Sequence, residues 1–538
     1  MPSITTKKLG YNNAKLWRNA LYNSGNTDPI LYIFIGNHVP YANEASPDSI
    51  VDTIDAEKDT WDNMYAAKKL TANDIELVIP RVNWSGNTKF RQYDDTITID
   101  SLLSANTSQN LKPMYVITTD RNVYKCMSNN NSANSTVEPT GDYSTSNGNI
   151  GTADGYIWKY MYNVKPSNKF LTTDWVPAPS STNQLDYNVN TTGVVDGELT
   201  TIIVTSAGTN YRQASNVQVN GFVSGQTTLT LANTARVLAI YNVTALANLA
   251  NMTISGTGIA TGTFISSAAN ATGVLTLSTA TTSTGGNTSN VSISTRVYID
   301  GDGTGVIASA TLSNTASGVS SANANVSKIT VTTIGTGYSR ANAFIYGSGT
   351  NATARVILSP KFGHAYNPAK ELGGSNIMTA TRVGEIDSTE GGLISSNTSF
   401  RQYGLLANPH KYGNTSAVTQ ATANSVISQT TDLTLVAGSS YTLDEYVFQG
   451  SSANSASFYG HVNAQESNEV RISKVVGTIT LGLPLVGLTS GASRVVISKT
   501  DPEFQPYTGD ILYAENIVKT EREDGHYKTM VGRNCYDG

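Results

Sequence analysis

Charged residues are scarce in this 538-residue chain, at 14% of the sequence, whereas an average soluble domain has roughly 25%. The 35 basic and 40 acidic side chains leave a formal net charge of -5. Between Ser215 and Ile299 the only charged side chains are Arg236 and Arg296. Binding to a phosphate backbone needs clustered Lys and Arg, and the sequence has no such cluster. We therefore expect no nucleic-acid partner.

Cysteine is nearly absent as well, and the two that occur, Cys126 and Cys535, lie far apart in the sequence. This excludes a disulfide framework and a cysteine-rich zinc site. The longest apolar run, from Ile30 to Ile35, has the length of a strand and is too short to cross a bilayer. The N-terminal residues lack the apolar segment of a signal peptide, so we expect synthesis in a cytoplasm and no membrane insertion.

Recognisable catalytic and metal-binding motifs are also missing. The five histidines have no metal-site spacing, and we expect them on the surface or in turns; they are His38, His364, His410, His461 and His526. Asp300-Gly-Asp302 begins like a calcium loop, but Thr311 stands where the bidentate Glu would be, so a turn between strands is expected. We interpret Asp94-Asp95 and Asp142 as solvated loop acids. The sequence thus predicts no catalytic, cofactor-binding or metal-binding residues, no cofactor, no small-molecule substrate, and a protein that is not an enzyme.

What the chain does contain is strand-forming sequence. Val, Ile, Thr and Tyr are frequent, and the 28 tyrosines suit half-buried positions in cores and interfaces. Periodicity predicts helices over 12–22 and 54–70, strands over 31–35 and 156–162, and a hairpin over 114–126. In the 156–162 strand, alternation places Tyr156, Trp158, Tyr160 and Tyr162 on one face, and we expect that face to be buried.

The charge-poor middle of the chain contains an internal repeat. Seven residues of the first copy recur in the second; they are Ile202, Val204, Thr205, Gly208, Thr209, Tyr211 and Ala214, matched by Ile329, Val331, Thr332, Gly335, Thr336, Tyr338 and Ala341. Thr234-Ala-Arg-Val237 similarly recurs as Thr353-Ala-Arg-Val356. Each copy reads as a strand, a glycine-centred turn that carries a tyrosine, and another strand. We expect two related all-β modules.

Composition divides the chain into five segments. The fold class that we predict is mainly β with a few helices, as a discontinuous β-sandwich-type core that carries two inserted all-β modules. Residues 1–185, 360–415 and 499–538 would form the core. Residues 186–359 and 416–498 would form the insertions.

The core segments contain motifs that carry a family resemblance. In the first part of the chain these motifs are Tyr32-Ile-Phe-Ile-Gly36, Trp61-Asp-Asn-Met64, Ala66-Ala-Lys68, Val78-Ile-Pro-Arg81, Trp84 and Gln92-Tyr-Asp-Asp95. They are followed by Val123-Tyr-Lys-Cys126, Asp154-Gly-Tyr-Ile-Trp-Lys-Tyr160, Phe400-Arg-Gln402, Asn408-Pro409 and Gly509-Asp-Ile-Leu-Tyr-Ala-Glu-Asn516. Together with Asp74, which precedes Val78, they resemble the gene-product-eight baseplate wedge subunit of T-even-like contractile-tailed bacteriophages. The longer layout, with its β insertions, looks like versions from cyanobacterial phages.

The resemblance implies a structural protein of the virion, located in the tail baseplate. It implies a homodimer in contact with other wedge subunits, which takes part in the rearrangement that triggers sheath contraction. Two other readings remain open. One is a receptor- or carbohydrate-binding tail protein that uses its Thr-, Ser-, Asn- and Tyr-rich modules. The other is a polysaccharide-degrading tail enzyme, which would need a pair of carboxylates in a groove.

Overall fold

The chain is mainly β, with 44% of its residues in strands and 12% in helices. The computed structural model describes residues 6–22, 29–37, 39–180, 187–189, 193–313, 315–316, 319–320, 324–381, 399–521 and 528–532. The predicted fold class is therefore confirmed at the level of a mainly β protein with few helices.

Five α-helices occur in the described residues: α1 (Lys7–Tyr22), α2 (Ile54–Asn63), α3 (Ile99–Leu103), α4 (Thr234–Tyr241) and α5 (Pro368–Glu371). Helix α1 begins earlier than predicted. The predicted 54–70 helix is wrong beyond Asn63, where the chain turns into a strand. That strand pairs with neighbours on both sides, and the inter-strand hydrogen bonds outweigh the helical spacing of its apolar residues.

The first twelve strands are β1 (Leu31–Gly36), β2 (Met64–Lys69), β3 (Ile75–Pro80), β4 (Lys89–Phe90), β5 (Leu111–Lys112), β6 (Tyr115–Ile117), β7 (Asn122–Ser128), β8 (Asn149–Gly151), β9 (Ile157–Val164), β10 (Trp175–Pro177), β11 (Tyr187–Val189) and β12 (Ile202–Thr209). The next thirteen are β13 (Ala214–Phe222), β14 (Thr228–Thr230), β15 (Thr253–Ser255), β16 (Ile265–Ala269), β17 (Val274–Leu277), β18 (Gly285–Ser294), β19 (Arg296–Gly301), β20 (Thr304–Leu312), β21 (Thr315–Ala316), β22 (Val319–Ser320), β23 (Val326–Thr336), β24 (Ala341–Tyr346) and β25 (Thr350–Val356). The last eleven are β26 (Asn376–Thr381), β27 (Ser399–Ala407), β28 (Val426–Ser428), β29 (Thr431–Leu435), β30 (Tyr446–Gln449), β31 (Phe458–Glu466), β32 (Glu469–Gly477), β33 (Pro484–Gly487), β34 (Ser493–Thr500), β35 (Asp510–Glu521) and β36 (Lys528–Gly532).

The chain forms two compact units, each built from separate stretches of sequence. The first unit comprises residues 1–79, 169–178 and 374–538, and the second comprises 80–168 and 179–373. Three of these cuts fall inside the predicted 1–185 segment, and the fourth falls inside the predicted 360–415 segment. The predicted five-segment domain division stays a prediction.

The first unit contains a five-stranded sheet in the order β28-β2-β1-β27-β35. All of its pairs are antiparallel, and β1 lies between β2 and β27. Trp61, Tyr32 and Phe34 pack with Leu406 and Phe504 in the core beside this sheet. A second sheet has the order β10-β3-β26-β36. Strands that are hundreds of residues apart in sequence thus form one core.

A closed six-stranded barrel occupies residues 431–500 of the same unit. Its strand order is β29-β32-β31-β30-β33-β34, and β34 pairs back onto β29. Leu433, Val447, Phe458, Val470 and Val496 are among the side chains that fill its interior. Closure removes free strand edges, which otherwise invite pairing with other chains.

The second unit contains the predicted hairpin and the aromatic strand. Strands β6 and β7 pair as expected, with Arg121 in the left-handed conformation at the turn (φ 62°). Strand β9 pairs with β7, and Trp158 is fully buried between Phe90 and Tyr156, with both ring-centroid distances at 5.5 Å. The predicted burial of Trp158 is therefore confirmed. Lys159 and Met161 on the opposite face are buried too, because the sheet is covered on both sides.

The second strand of the first repeat copy, β13, lies in a separate five-stranded sheet, whereas β12, β23 and β24 lie together in one six-stranded sheet. Its order is β12-β25-β24-β19-β20-β23, so the repeat strands β12 and β23 are its outer strands. Gly208 and Gly335 both have a φ of 62°, and Tyr211 and Tyr338 each lie over a glycine-containing hairpin turn. A Cβ at Gly303 would come within 2.4 Å of the Tyr338 ring, which explains the glycine there.

The two copies of the shorter repeat have different secondary structures. Thr234-Ala-Arg-Val237 begins helix α4, capped by Asn233, whereas Thr353-Ala-Arg-Val356 lies in strand β25. The expectation of an entirely β block between Ser215 and Ile299 is corrected accordingly. Helix α4 packs Val237 and Tyr241 into the small core of its module, and the Tyr241 hydroxyl donates to the Ile293 carbonyl at 2.7 Å.

We predict that Trp158→Ala lowers the free energy of unfolding of the second unit by about 3–5 kcal/mol, because it removes a large buried ring. Trp158→Phe should cost less, since the indole nitrogen has no hydrogen-bond partner among the described residues. The comparison is Trp17→Ala in α1, where the side chain is 38% exposed and the loss should be smaller, because less apolar surface is removed from the core. Urea unfolding followed by fluorescence measures all three; equal midpoints for Trp158→Ala and wild type would contradict the packing.

Candidate functional site

Two lysines are buried side by side in the sheet of the second unit. Lys125 in β7 and Lys159 in β9 are register partners, and both side chains are 0% exposed. Strand alternation places Lys159 on the face opposite to Trp158. Two ammonium groups at opposed positions repel each other, so the surrounding structure must supply negative charge.

Glu198 supplies that charge to Lys159. The ammonium nitrogen of Lys159 lies 2.9 Å from both carboxylate oxygens of Glu198. It also donates to the backbone carbonyls of Asn147 and Gly193, at 3.0 and 2.9 Å. Glu198 is itself fully buried, so this ion pair is closed to solvent.

Glu371 and His364 surround Lys125. The Lys125 ammonium donates to Glu371 Oε2 at 2.7 Å and to His364 Nδ1 at 2.8 Å, and it lies 4.1 Å from the centroid of the Tyr93 ring. The backbone N–H of His364 donates to Glu198 Oε1 at 3.2 Å, which joins the two ion pairs. With a neutral imidazole, two cations and two anions balance. We call these five residues (Lys125, Lys159, Glu198, His364 and Glu371) the buried charge cluster.

The ionisation of the cluster follows from burial and from the neighbouring charges. Burial and the Lys125 ammonium together lower the pKa of His364 to about 3, so the imidazole is neutral. Burial by itself would raise the pKa of Glu371, but Lys125 and His364 bring it down to about 2. Burial raises the pKa of Glu198, and the Lys159 ammonium opposes that shift.

Chemically, the cluster holds chain segments together. Each of its five side chains is at most 9% exposed, and the lysines contact carboxylate, imidazole or carbonyl groups of the protein itself. A general base must reach the proton that it abstracts. Here the polar atoms instead tie the segments around Gly193–Glu198 and His364–Glu371 to strands β7 and β9. No sequence motif indicated this cluster; the only signal was a single lysine inside each of two otherwise apolar strands.

The expectation for the histidines is wrong at His461, which is buried in strand β31 and contacts Asn463. His364 lies in a turn, as expected, but it is buried, at 1% exposed, and contacts Lys125. His410 is partly exposed, and His38 and His526 lie outside the described residues.

The expectation for the acidic residues also needs correction. Asp94 and Asp95 are not free loop acids, since both pair with Arg355, at 2.5 and 2.6 Å. Asp142 is exposed, and its carboxylate accepts from Ser144. Asp302 lies in the predicted turn between β19 and β20, where its carboxylate accepts from the backbone N–H groups of Ser339 and Arg340. That carboxylate therefore stabilises the repeat module locally.

A surface cleft of about 960 Å³ lies in the first unit, between residues 45–50 and strand β35. Tyr403 and Tyr513 both donate their hydroxyls to Glu515 Oε2, at 2.5 Å each. Burial and the Glu515 carboxylate raise the pKa of Tyr403. These polar groups thus satisfy one another across the pair β27–β35.

The described part of the chain contains no group of three or more His, Cys, Asp or Glu side chains that is arranged to hold a metal ion. It also contains no helix that is long and apolar enough to span a membrane. Compared with protein-family models and with curated proteins, the sequence matches none of them.

We predict that Lys159→Met destabilises the second unit by about 3–5 kcal/mol, because it leaves the Glu198 carboxylate buried without a counter-charge. Adding Glu198→Gln should recover part of this loss. As a control, Lys499→Met breaks an exposed pair with Asp501 and should cost less than about 1 kcal/mol. Chemical denaturation tests this; a double variant that loses the sum of both single effects would argue against the ion pair.

A pH dependence follows from the neutral imidazole of His364. Its folded-state pKa of about 3 lies below the ordinary 6.5, so the unfolded chain binds this proton first as pH falls. Stability should decrease as pH drops from 6.5 towards 3, by up to about 1.4 kcal/mol per pH unit for this group. His364→Asn should lack this contribution between pH 6.5 and 4.5, above the range where Glu371 titrates. Parallel stability curves for variant and wild type in urea unfolding would contradict the assignment.

Proposed function

We propose that this chain is a structural subunit of a phage contractile-tail baseplate wedge. In this role it forms a homodimer, holds neighbouring wedge proteins together, and takes part in the rearrangement that triggers sheath contraction. It does so as a packing and contact protein and not as an enzyme.

The observation that carries the proposal is that the segments that show the family resemblance lie together in space. Strands β1, β2, β27 and β35 each contain one of those motifs, and they lie consecutively in one sheet. They are separated by up to several hundred residues of sequence. If this chain and the family share a core, their common motifs should occur in the same order and should lie together in space. Here they form one sheet.

Specific contacts between these motifs add support. Gln402 Nε2 donates to Asn516 Oδ1 at 3.0 Å, and Asn408 Oδ1 accepts from the backbone N–H of Ile30 at 2.9 Å. Arg401, which is 2% exposed, binds Glu44 at 2.9 Å and Asp444 at 3.0 Å. Arg401 is thus a motif residue that is buried between two carboxylates. This gives a structural reason for an arginine at that position.

The barrel surface supports contact with other proteins. Val436 and Val495 are 47% and 37% exposed, and the backbone N–H of Val436 donates to the Val495 carbonyl. Pro484 pairs with Val495 on the other side, and Ile497, on the same face of β34, is 55% exposed. Clustered exposed apolar side chains are typical of protein–protein contact surfaces. A wedge subunit that holds neighbours needs surfaces of this kind.

The location is tested on purified particles of the encoding phage. Mass spectrometry should find the chain in isolated tails, and antibodies against it should label the distal end of the tail. Particles that lack the chain, with all of it left in the soluble lysate, would overturn the proposal.

The proposed homodimer is tested by sedimentation equilibrium at micromolar concentration. The expected mass is twice 57.1 kDa, or about 114 kDa. A single species of 57.1 kDa throughout would remove the homodimer from the proposal.

A further inference from the structure

The six-stranded sheet of the repeat module carries an exposed aromatic pair on its two central strands, β19 and β24. Tyr298 in β19 and Phe344 in β24 are register partners, with ring centroids 6.3 Å apart and ring planes 31° apart. They are 39% and 43% exposed. Their strand neighbours Val297, Ile299 and Ile345 point to the opposite face and pack in the core. The aromatic side chains therefore stand on the outer face of the sheet.

A transverse row of side chains continues from this pair across the neighbouring strands. Arg296 pairs with Ser309, so Tyr298 stands beside Ile307, which is 46% exposed and pairs with Thr333. On the other side, Ala343 pairs with Ala354, which places Thr353 beside Phe344. The Thr353 hydroxyl lies 2.7 Å from that of Thr205. We call these six residues (Thr205, Thr353, Phe344, Tyr298, Ile307 and Thr333) the aromatic row.

Arg296 holds one end of the pair in place. Its guanidinium carbon lies 3.8 Å from the centroid of the Phe264 ring and 5.0 Å from that of Tyr298. Such cation–π contacts restrict the ring before any ligand arrives. Tyr298 is thus a preoriented side chain on a flat β surface.

The chemistry of the aromatic row selects among ligands. Its own six side chains are uncharged, and the neighbours of Tyr298 on the same face of β19, Arg296 and Asp300, have opposite charges, whereas nucleic acid requires clustered cations. The row exposes three large apolar side chains, whereas the barrel exposes at least six, namely Val436, Leu481, Leu483, Leu488, Val495 and Ile497. The smaller set is little beside the roughly 800 Å² per partner of a stable protein interface. Electron-rich ring faces attract polarised C–H groups, and flanking hydroxyls exchange hydrogen bonds. An uncharged sugar ring presents both of these features. Six strands at about 4.8 Å spacing give a row roughly 24 Å long, which suits an extended chain.

We propose that the aromatic row binds an uncharged polysaccharide chain, with Tyr298 and Phe344 stacking against its sugar rings. This activity is separate from the wedge role and does not depend on it. Tyr298 and Phe344 would be the binding residues, and Arg296 a positioning residue.

The test uses the full chain on an array of neutral polysaccharides, including dextran, mannan and galactan, with heparin and alginate as anionic comparators. Wild type should bind at least one neutral polysaccharide. The double variant Tyr298→Ala/Phe344→Ala should bind it about tenfold more weakly, the loss expected when stacking contacts worth about 1.4 kcal/mol are removed. Tyr298→Phe should retain binding because the ring is kept.

The matched control is Phe362→Ala/Tyr366→Ala, which removes another exposed aromatic pair of the same unit, with ring centroids 4.8 Å apart. This variant should bind like wild type. Thermal unfolding confirms that each variant is folded. The proposal is overturned if wild type binds no neutral polysaccharide, if it binds only the anionic ones, or if the Tyr298/Phe344 variant binds as tightly as wild type.

Discussion

Burial of two lysines at opposed positions in one sheet is the constraint on which the second unit depends. Lys125 and Lys159 cannot stay ionised in a dry interior without partners, so Glu371 and Glu198 must be held within hydrogen-bond distance. These carboxylates come from distant parts of the chain. The charge requirement therefore fixes where the segments around Glu198 and Glu371 lie, and the aromatic core around Trp158 fills the other face of the same strands.

In the first unit, backbone hydrogen bonds between strands hold distant segments of the chain together. Strands β27 and β35 reach the β1–β2 pair only after long excursions, one of which contains the closed barrel. Closing such loops costs little extra free energy as they lengthen, so insertions are tolerated once their ends meet. Arg401 then links β27 to Glu44 and to Asp444 at the barrel. A core of this kind can carry variable modules while its own sheet stays the same.

The repeat module illustrates how strand pairing places side chains on a surface. Strands β19 and β24 pair so that Tyr298 and Phe344 lie side by side on one face of the sheet. The opposite face packs Val297, Leu312 and Val326 into the core. Both rings keep about two fifths of their surface exposed in the folded protein, and a binding role is the physical explanation that we propose for this exposure.

The sequence by itself determined the mainly β class, strand β1, the β6–β7 hairpin, strand β9 and the longer repeat, because alternation and turn residues are local signals. It also indicated burial of Trp158. Only the tertiary structure decided that Met64–Lys69 is a strand and that Thr234-Ala-Arg-Val237 is helical while Thr353-Ala-Arg-Val356 is extended. Only the tertiary structure shows that the buried charge cluster forms; its members are Lys125, Lys159, Glu198, His364 and Glu371. The reason is that sheet pairing and charge neutralisation depend on partners remote in sequence, whose positions no local pattern records.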